Sequence, residues 1–225
     1  TVHLDVQLAG AQTRVTATLA IRRNPQGRSD APLVLDGDEL NIISVALNGQ
    51  ALAVSEIATP QRLQIARVPD AFTLVTVTEL DPASNTKLMG LYRSGSAYCT
   101  QCEAEGFRRI TYFLDRPDVL SVYTTRIEAD REDAPILLGN GNRTEAGVID
   151  GTNRHYAIWH DPWPKPSYLF ALVAGDLVAN HDTFTTMSGR KVDLNIWVRE
   201  GDQDRTHHAM KALKDSMRWD EEVFG

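Results

Sequence analysis

Hydrophobic and polar residues alternate from the start of the chain: residues 2–8 read VHLDVQL and residues 15–21 read VTATLAI, with GAQT lying between them. A period of two puts every second side chain on the same face of an extended segment. The pair therefore predicts an antiparallel hairpin with one buried face. Short apolar or β-branched runs follow at 33–35, 40–47, 52–54, 63–66 and 72–80, separated by turn signals such as DGD, NGQ and TPQ. The same style resumes at 119–127, 136–138, 156–159 and 168–173. Two interruptions, NGNR and DPWPKP, predict ordered loops, the first because Asn and Gly tolerate positive φ and the second because proline cannot donate to a ladder. Many short strands with little helical periodicity predict a mainly β fold, a sandwich or a set of curved antiparallel sheets.

After Gly175 the pattern changes. DTFTTMSGRKVDLNIWV predicts a hairpin turning at Ser188 and Gly189, and residues 202–224 form the one convincing helical pattern. Met210, Leu213 and Met217 fall on one stripe at i, i+3 and i+7, and Asp202 or Asp204 is placed to cap the first turn. The organisation expected is a β domain over 1–175, followed at 176–225 by the opening elements of a second domain.

Composition narrows the function classes. The 225 residues are 42% hydrophobic and 24% charged, ordinary for a globular chain. A formal charge of −7 supplies no basic stripe for phosphates, so nucleic acid is not an expected partner. No window reaches the roughly 18 apolar residues of a membrane span, and the first residues lack a charged-then-apolar signal pattern. The two cysteines, Cys99 and Cys102, do not make a disulfide framework and suit a reducing compartment, which points to the cytoplasm.

Both cysteines lie in the segment YCTQCEAEGFRR, residues 98–109, which offers three chemistries. A structural zinc site needs about four ligands, and here one CxxC stands alone, while none of the six histidines forms an HExxH helix. A redox CxxC sits at a helix N-terminus after a strand, and nothing near Cys99 has that pattern. If residues 99–105 are extended, Gln101, Glu103 and Glu105 share one face, with Cys102 and Ala104 on the opposite, buried one. An amide beside two carboxylates is a seat for an ammonium group. The competing reading pairs Glu103 and Glu105 with Arg108 and Arg109 on a solvated face, the commoner outcome for such residues. Asp161 with its prolines reads as a rigid loop, and Asp115, Arg116 and Asp118 as a turn network. No nucleophile elbow or phosphate-cradling glycine loop is present.

TQCEAEGFRRITYFLDRPDV, LLGNGNR, DPWPKPSYLFALVAGD, DTFTTMSGR and LKDSMRWDEEVFG together closely resemble the bacterial aminopeptidase N family, zinc-dependent alanyl aminopeptidases of the gluzincin class. The resemblance covers essentially the whole chain. It implies a saddle-shaped antiparallel β-sandwich as the N-terminal domain, followed by a hairpin and helix that begin a thermolysin-like catalytic domain. It also implies that Glu103 binds the free α-amino group of a peptide substrate, with Gln101 beside it. The family's HExxH, its third zinc ligand and its GAMEN motif are absent from these residues. The expectation is an N-terminal portion of a zinc metallo-aminopeptidase: zinc in the full-length enzyme, none bound by these residues, no catalytic residue among them. The implied partners are peptides with a free N-terminus and the catalytic domain of the same chain. The alternative is a non-catalytic β-sandwich module that binds peptides or proteins.

Overall fold

In the computed structural model, which describes residues Thr1–Gly225, the chain divides into two compact units, Thr1–Gly175 and Asp176–Gly225. The first unit is built on an eight-stranded sheet. Its strands run in the order Asn142–Val148, Arg154–Lys165, Ser121–Asp130, Val2–Gln7, Thr13–Arg22, Ala71–Leu80, Asn41–Leu47 and Gln50–Leu52. All neighbours are antiparallel except Val2–Gln7 and Ser121–Asp130, which run parallel and so bring together segments more than a hundred residues apart. A four-stranded sheet (Ile136–Gly139, Leu172–Gly175, Ala97–Gln101, Gly90–Ser94) and a three-stranded one (Leu33–Asp36, Arg62–Ile65, Ala58–Thr59) complete it.

The period-two pattern does what pattern physics requires. Val2, Leu4 and Val6 point into the core from one strand, Val15, Ala17 and Leu19 from the next, and Tyr123, Ile127 and Ala129 from the parallel neighbour. On Ala71–Leu80 the inward positions continue past Phe72 and Leu74 into two threonines, Thr76 and Thr78, both fully buried. Each hydroxyl finds a partner, since an unpaired one would cost about 1 to 3 kcal/mol. Thr76 Oγ1 lies 3.1 Å from Thr111 Oγ1, and Thr78 Oγ1 donates to the Ile110 carbonyl at 3.0 Å. These bonds fasten residues 110 and 111 to the large sheet. Tyr112 Oη donates to the Thr59 carbonyl at 2.6 Å, and Phe113 exchanges both backbone hydrogen bonds with Asp36.

Several expectations change. The segment DPWPKP is not a loop, because strand Arg154–Lys165 runs through it. Its register against Ser121–Asp130 jumps from Tyr123↔Asp161 to Ser121↔Lys165, so Pro162, Trp163 and Pro164 stand opposite Val122 alone. A bulge needs no ladder donor from those residues, which is how the prolines are accommodated. Of NGNR, Asn142 and Arg143 already belong to strand Asn142–Val148. The run at 52–54 ends as strand at Leu52 and turns into the short helix Val54–Ile57, and the run at 168–173 is split between the 3₁₀ turn Ser167–Leu169 and strand Leu172–Gly175.

The second unit holds the hairpin Val178–Thr185 and Lys191–Val198, which turns through Ser188 and Gly189 as expected. A 3₁₀ turn, Gln203–Thr206, leads into the helix His207–Phe224. Neither aspartate caps this helix; Asp202 instead pairs with Arg205 at 3.0 Å, and Thr206 occupies the cap position with its hydroxyl donating to the Gln203 carbonyl at 2.6 Å rather than capping a helix amide. Met210 is buried against Phe184 and Leu194 and Met217 packs at their edge, but Leu213 remains 38% exposed, so the expected stripe is only partly covered.

Candidate functional site

The hairpin Gly90–Ser94 and Ala97–Gln101 delivers the polypeptide to residues 102–109. Strand ends at Gln101, and residues 103–106 form a turn closed by a hydrogen bond from the Gly106 amide to the Cys102 carbonyl at 2.8 Å. The extended reading of 99–105 is therefore corrected. Cys102 is buried as expected, 2% exposed, yet Ala104 is exposed, and the glutamates reach the surface through the turn rather than through strand alternation. Gly106 explains the geometry: a Cβ there would stand 2.4 Å from the Gln101 carbonyl oxygen and 3.0 Å from Cys102 Cα. The chain folds back so tightly that only glycine fits.

The 3₁₀ turn Phe107–Arg109 then drives Phe107 into the core, where its ring meets Phe113, Phe170 and Tyr123 edge-on at centroid distances of 5.0, 5.2 and 6.0 Å. The turn is thus held on one side by Cys102 and on the other by Phe107.

The two arginines that follow are committed elsewhere. Arg108 Nε and its backbone amide both donate to Asp115 Oδ2 at 3.1 Å, and its guanidinium also reaches the Asp115 carbonyl at 3.0 Å, Glu105 at 3.5 Å and Asp36 at 3.7 Å. Arg109 pairs with Asp38 and, at 2.7 Å, with Glu39. Of the solvated pairs expected from the sequence, Glu105 with Arg108 forms. Glu103 takes no part in the ion pairs of either arginine. Its carboxylate is exposed, and its backbone carbonyl accepts from Gln101 Nε2 at 3.1 Å. The structure thus places Gln101 and Glu103 together at one turn and separates Glu105 from them by tying it to Arg108.

Two neighbouring features carry different chemistry. A cleft of about 390 Å³ is bordered by Asp38, Glu39, Lys87 and Arg109, but neither Gln101 nor Glu103 lines it, and its acidic groups already have partners. Hydrogen bonds from Lys87 and then Arg109 hold the Glu39 carboxyl down to about 2. Burial, with a smaller contribution from Asp115, pushes the Cys102 thiol up to about 12, the reverse of a reactive thiolate, and neither cysteine is in a disulfide. No three His, Cys, Asp or Glu side chains converge as a metal-holding group, so the donor set of these residues does not fit a zinc ion.

Sequence reasoning passed over Asp115 and Ser167. Asp115 looked like part of a turn, whereas it is 2% exposed and accepts from Ser167 Oγ at 2.5 Å; only Arg116 and Asp118 form the expected local pair. No local signal links two residues 52 positions apart.

Residues 1–169 match the family described as the Peptidase M1 N-terminal domain. The chain is 54% identical to aminopeptidase N of Caulobacter vibrioides, over all of this chain and 26% of that protein. It is 50% identical to aminopeptidase N of Escherichia coli, over all of this chain and 25% of that protein. Aminopeptidase A of Legionella pneumophila, solved in complex with aspartic acid, superposes with a TM-score of 0.92 at 36% identity, over 99% of this chain and 26% of that one. The chain spans about a quarter of the length of these relatives.

Proposed function

The chain belongs to the M1 peptidase family through its N-terminal domain, and from that premise we propose that it is the N-terminal portion of a zinc aminopeptidase, in which it binds the free α-amino group of a peptide substrate. The observation that carries the reading is the Glu103 carboxylate: exposed, outside the ion pairs of Arg108 and Arg109, and mounted on a turn pinned by Cys102 and Phe107. A carboxylate that already served an arginine would be a poor seat for a second cation. Gln101 contributes by fixing the Glu103 carbonyl through Nε2, which leaves its own amide oxygen as a second acceptor for the ammonium.

Magnitude decides what else is needed. An ammonium and carboxylate in open water attract by only about 0 to 1 kcal/mol, whereas removing one partner of a desolvated pair costs about 2 to 5. The anchor therefore works when another part of the full-length protein closes over it. That part also supplies the zinc, for which residues 1–225 offer no ligand set. A zinc ion held there would supply an activated water, while residues 101 and 103 would hold and orient the substrate's amine.

Residues 1–175 are the β domain of this enzyme, and residues 176–225, a hairpin and a helix, open its catalytic domain. Peptides with a free N-terminus are its substrates. The paired thiols outside any disulfide support a cytoplasmic setting, and no helix is long and apolar enough to cross a membrane.

The test is hydrolysis. The full-length protein is expected to cleave an alanyl chromogenic amide, to lose that activity to a chelator, and to carry HExxH beyond Gly225, while the 225-residue chain alone cleaves nothing. Chelator-sensitive turnover by the 225 residues overturns the division of labour. A full-length protein without HExxH and without turnover favours a peptide-binding module instead.

A further inference from the structure

Glu103 is a surface residue, and a surface side chain on a five-residue turn is ordinarily mobile. An amine anchor has to hold its carboxylate within a fraction of an ångström, because an ion pair formed by a wandering group loses side-chain entropy each time it binds. Some other group must fix the turn, and the buried carboxylate of Asp115 has the contacts to do so.

Asp115 is 2% exposed, and a buried carboxylate is costly unless both oxygens are satisfied. Here both are. Oδ2 accepts from the Arg108 backbone amide and from Arg108 Nε, each at 3.1 Å, and Oδ1 accepts from Ser167 Oγ at 2.5 Å. One oxygen thus grips the main chain and the side chain of the same residue, which sets both the position and the direction of the 3₁₀ turn that closes the Glu103 loop. Arg108 extends the grip to Glu105, two residues past Glu103, at 3.5 Å. Ser167 arrives from the opposite side of the sequence, immediately after the proline bulge of strand Arg154–Lys165, and is itself 1% exposed. The proline-rich segment, which the anchor does not otherwise use, therefore ends by presenting a hydroxyl to this carboxylate.

Resting on the reading of Glu103 as the amine anchor, we propose that Asp115 is a positioning residue for that anchor, acting through Arg108 and held in place by Ser167. It touches no substrate. Its effect on binding travels through the turn at residues 102–108, so it falls on ligands that use the amine and spares ligands that do not.

The experiment is a double-mutant cycle in the full-length protein. Asp115→Asn, Glu103→Gln and the double variant are compared for kcat/KM on an alanyl amide substrate, for inhibition by a competitive inhibitor with a free amine and its desamino analogue, and for zinc content. Glu103→Gln is expected to lower kcat/KM about thirtyfold, equivalent to about 2 kcal/mol. Asp115→Asn alone is expected to lower it about tenfold and to weaken the amine inhibitor equally, with the desamino analogue and zinc content unchanged. Added to Glu103→Gln, it should cost less than twofold more. A purely structural Asp115 would weaken both inhibitors alike and multiply with Glu103→Gln, and either result overturns the proposal. If Asp115→Asn does not fold, Ser167→Ala gives the same readout, with about threefold expected and no amine-dependent loss contradicting. A neutral Asp115→Asn with an impaired Glu103→Gln sinks the positioning role alone. A neutral Glu103→Gln sinks the anchor reading and this inference with it.

Discussion

The loop at residues 102–109 and the helix His207–Phe224 were both conspicuous in the sequence, yet the fold treats them oppositely. The loop surrenders its large residue: Phe107 is fully buried, ringed by Phe113, Tyr123 and Phe170, and every charged neighbour except Glu103 is tied into an ion pair. The helix buries Met210 but leaves Trp219 and Phe224 at 57% and 75% exposure, their rings edge-on to each other at 5.7 Å. The first unit has a core drawn from nearly all of its strands, while the second rests on Phe184, Leu194 and Met210. Surface chemistry in the first unit is thus carried by a rigid frame. Residues 176–225 bury little apolar surface among themselves, which agrees with the reading that they open a larger domain.

The widest gap between the two regions should appear on truncating their aromatic residues. In the 225-residue chain taken alone, Phe107→Ala is expected to cost about 3 to 5 kcal/mol in urea unfolding, and Phe224→Ala less than about 0.5. Comparable losses would erase the contrast. Met210→Ala, expected to cost about 2 to 5 kcal/mol, should remove a third of the second unit's buried core. Hydrogen exchange should then show the hairpin Val178–Val198 losing protection while strand Val2–Gln7 keeps its own; unchanged exchange in the hairpin would mean that its pairing, not the core, holds it. Gly106→Ala drives a methyl against the Gln101 carbonyl and should cost about 1 to 3 kcal/mol, because backbone rather than a flexible side chain must yield. A neutral outcome there would show the loop to be softer than described.

The smallest effect expected is electrostatic. The Glu39 carboxyl sits at about 2 in the folded chain against an ordinary 4.5, held down first by Lys87 and then by Arg109. A depressed carboxylate stabilises the fold above its unfolded value, and that contribution disappears as pH falls from about 4.5 through 2. Glu39→Gln should therefore lower the melting temperature slightly at pH 6 and progressively less as pH falls from about 4.5 through 2. Because the group is exposed, the difference should shrink further in high salt.

What the sequence revealed tracks how far each feature depends on local pattern. Strands Val2–Gln7, Thr13–Arg22 and Ala71–Leu80 were legible because one face of each is buried and polarity alternates accordingly. Strand Asn142–Val148 was not, since an edge strand exposed along almost its whole length is held by backbone pairing and needs no apolar period. The hairpin Gly90–Ser94 and Ala97–Gln101 escaped for a related reason: its buried residues are consecutive, Gly90 with Leu91 and Ala97 with Tyr98, and consecutive burial breaks the period of two. At the site, Gln101 and Glu103 were singled out and do sit at one turn, although extended alternation was the wrong cause. Asp115 and Ser167 were invisible because their meeting is a product of topology, and the proline bulge that delivers Ser167 looked like a loop.

The most direct test of the whole account is whether Glu103 distinguishes a free amine. In the full-length protein, Glu103→Gln should weaken binding of a competitive inhibitor bearing a free α-amine by about thirtyfold, some 2 kcal/mol, and leave the desamino analogue and zinc content untouched. Equal affinity of the wild-type and variant proteins for the amine-bearing inhibitor would contradict it.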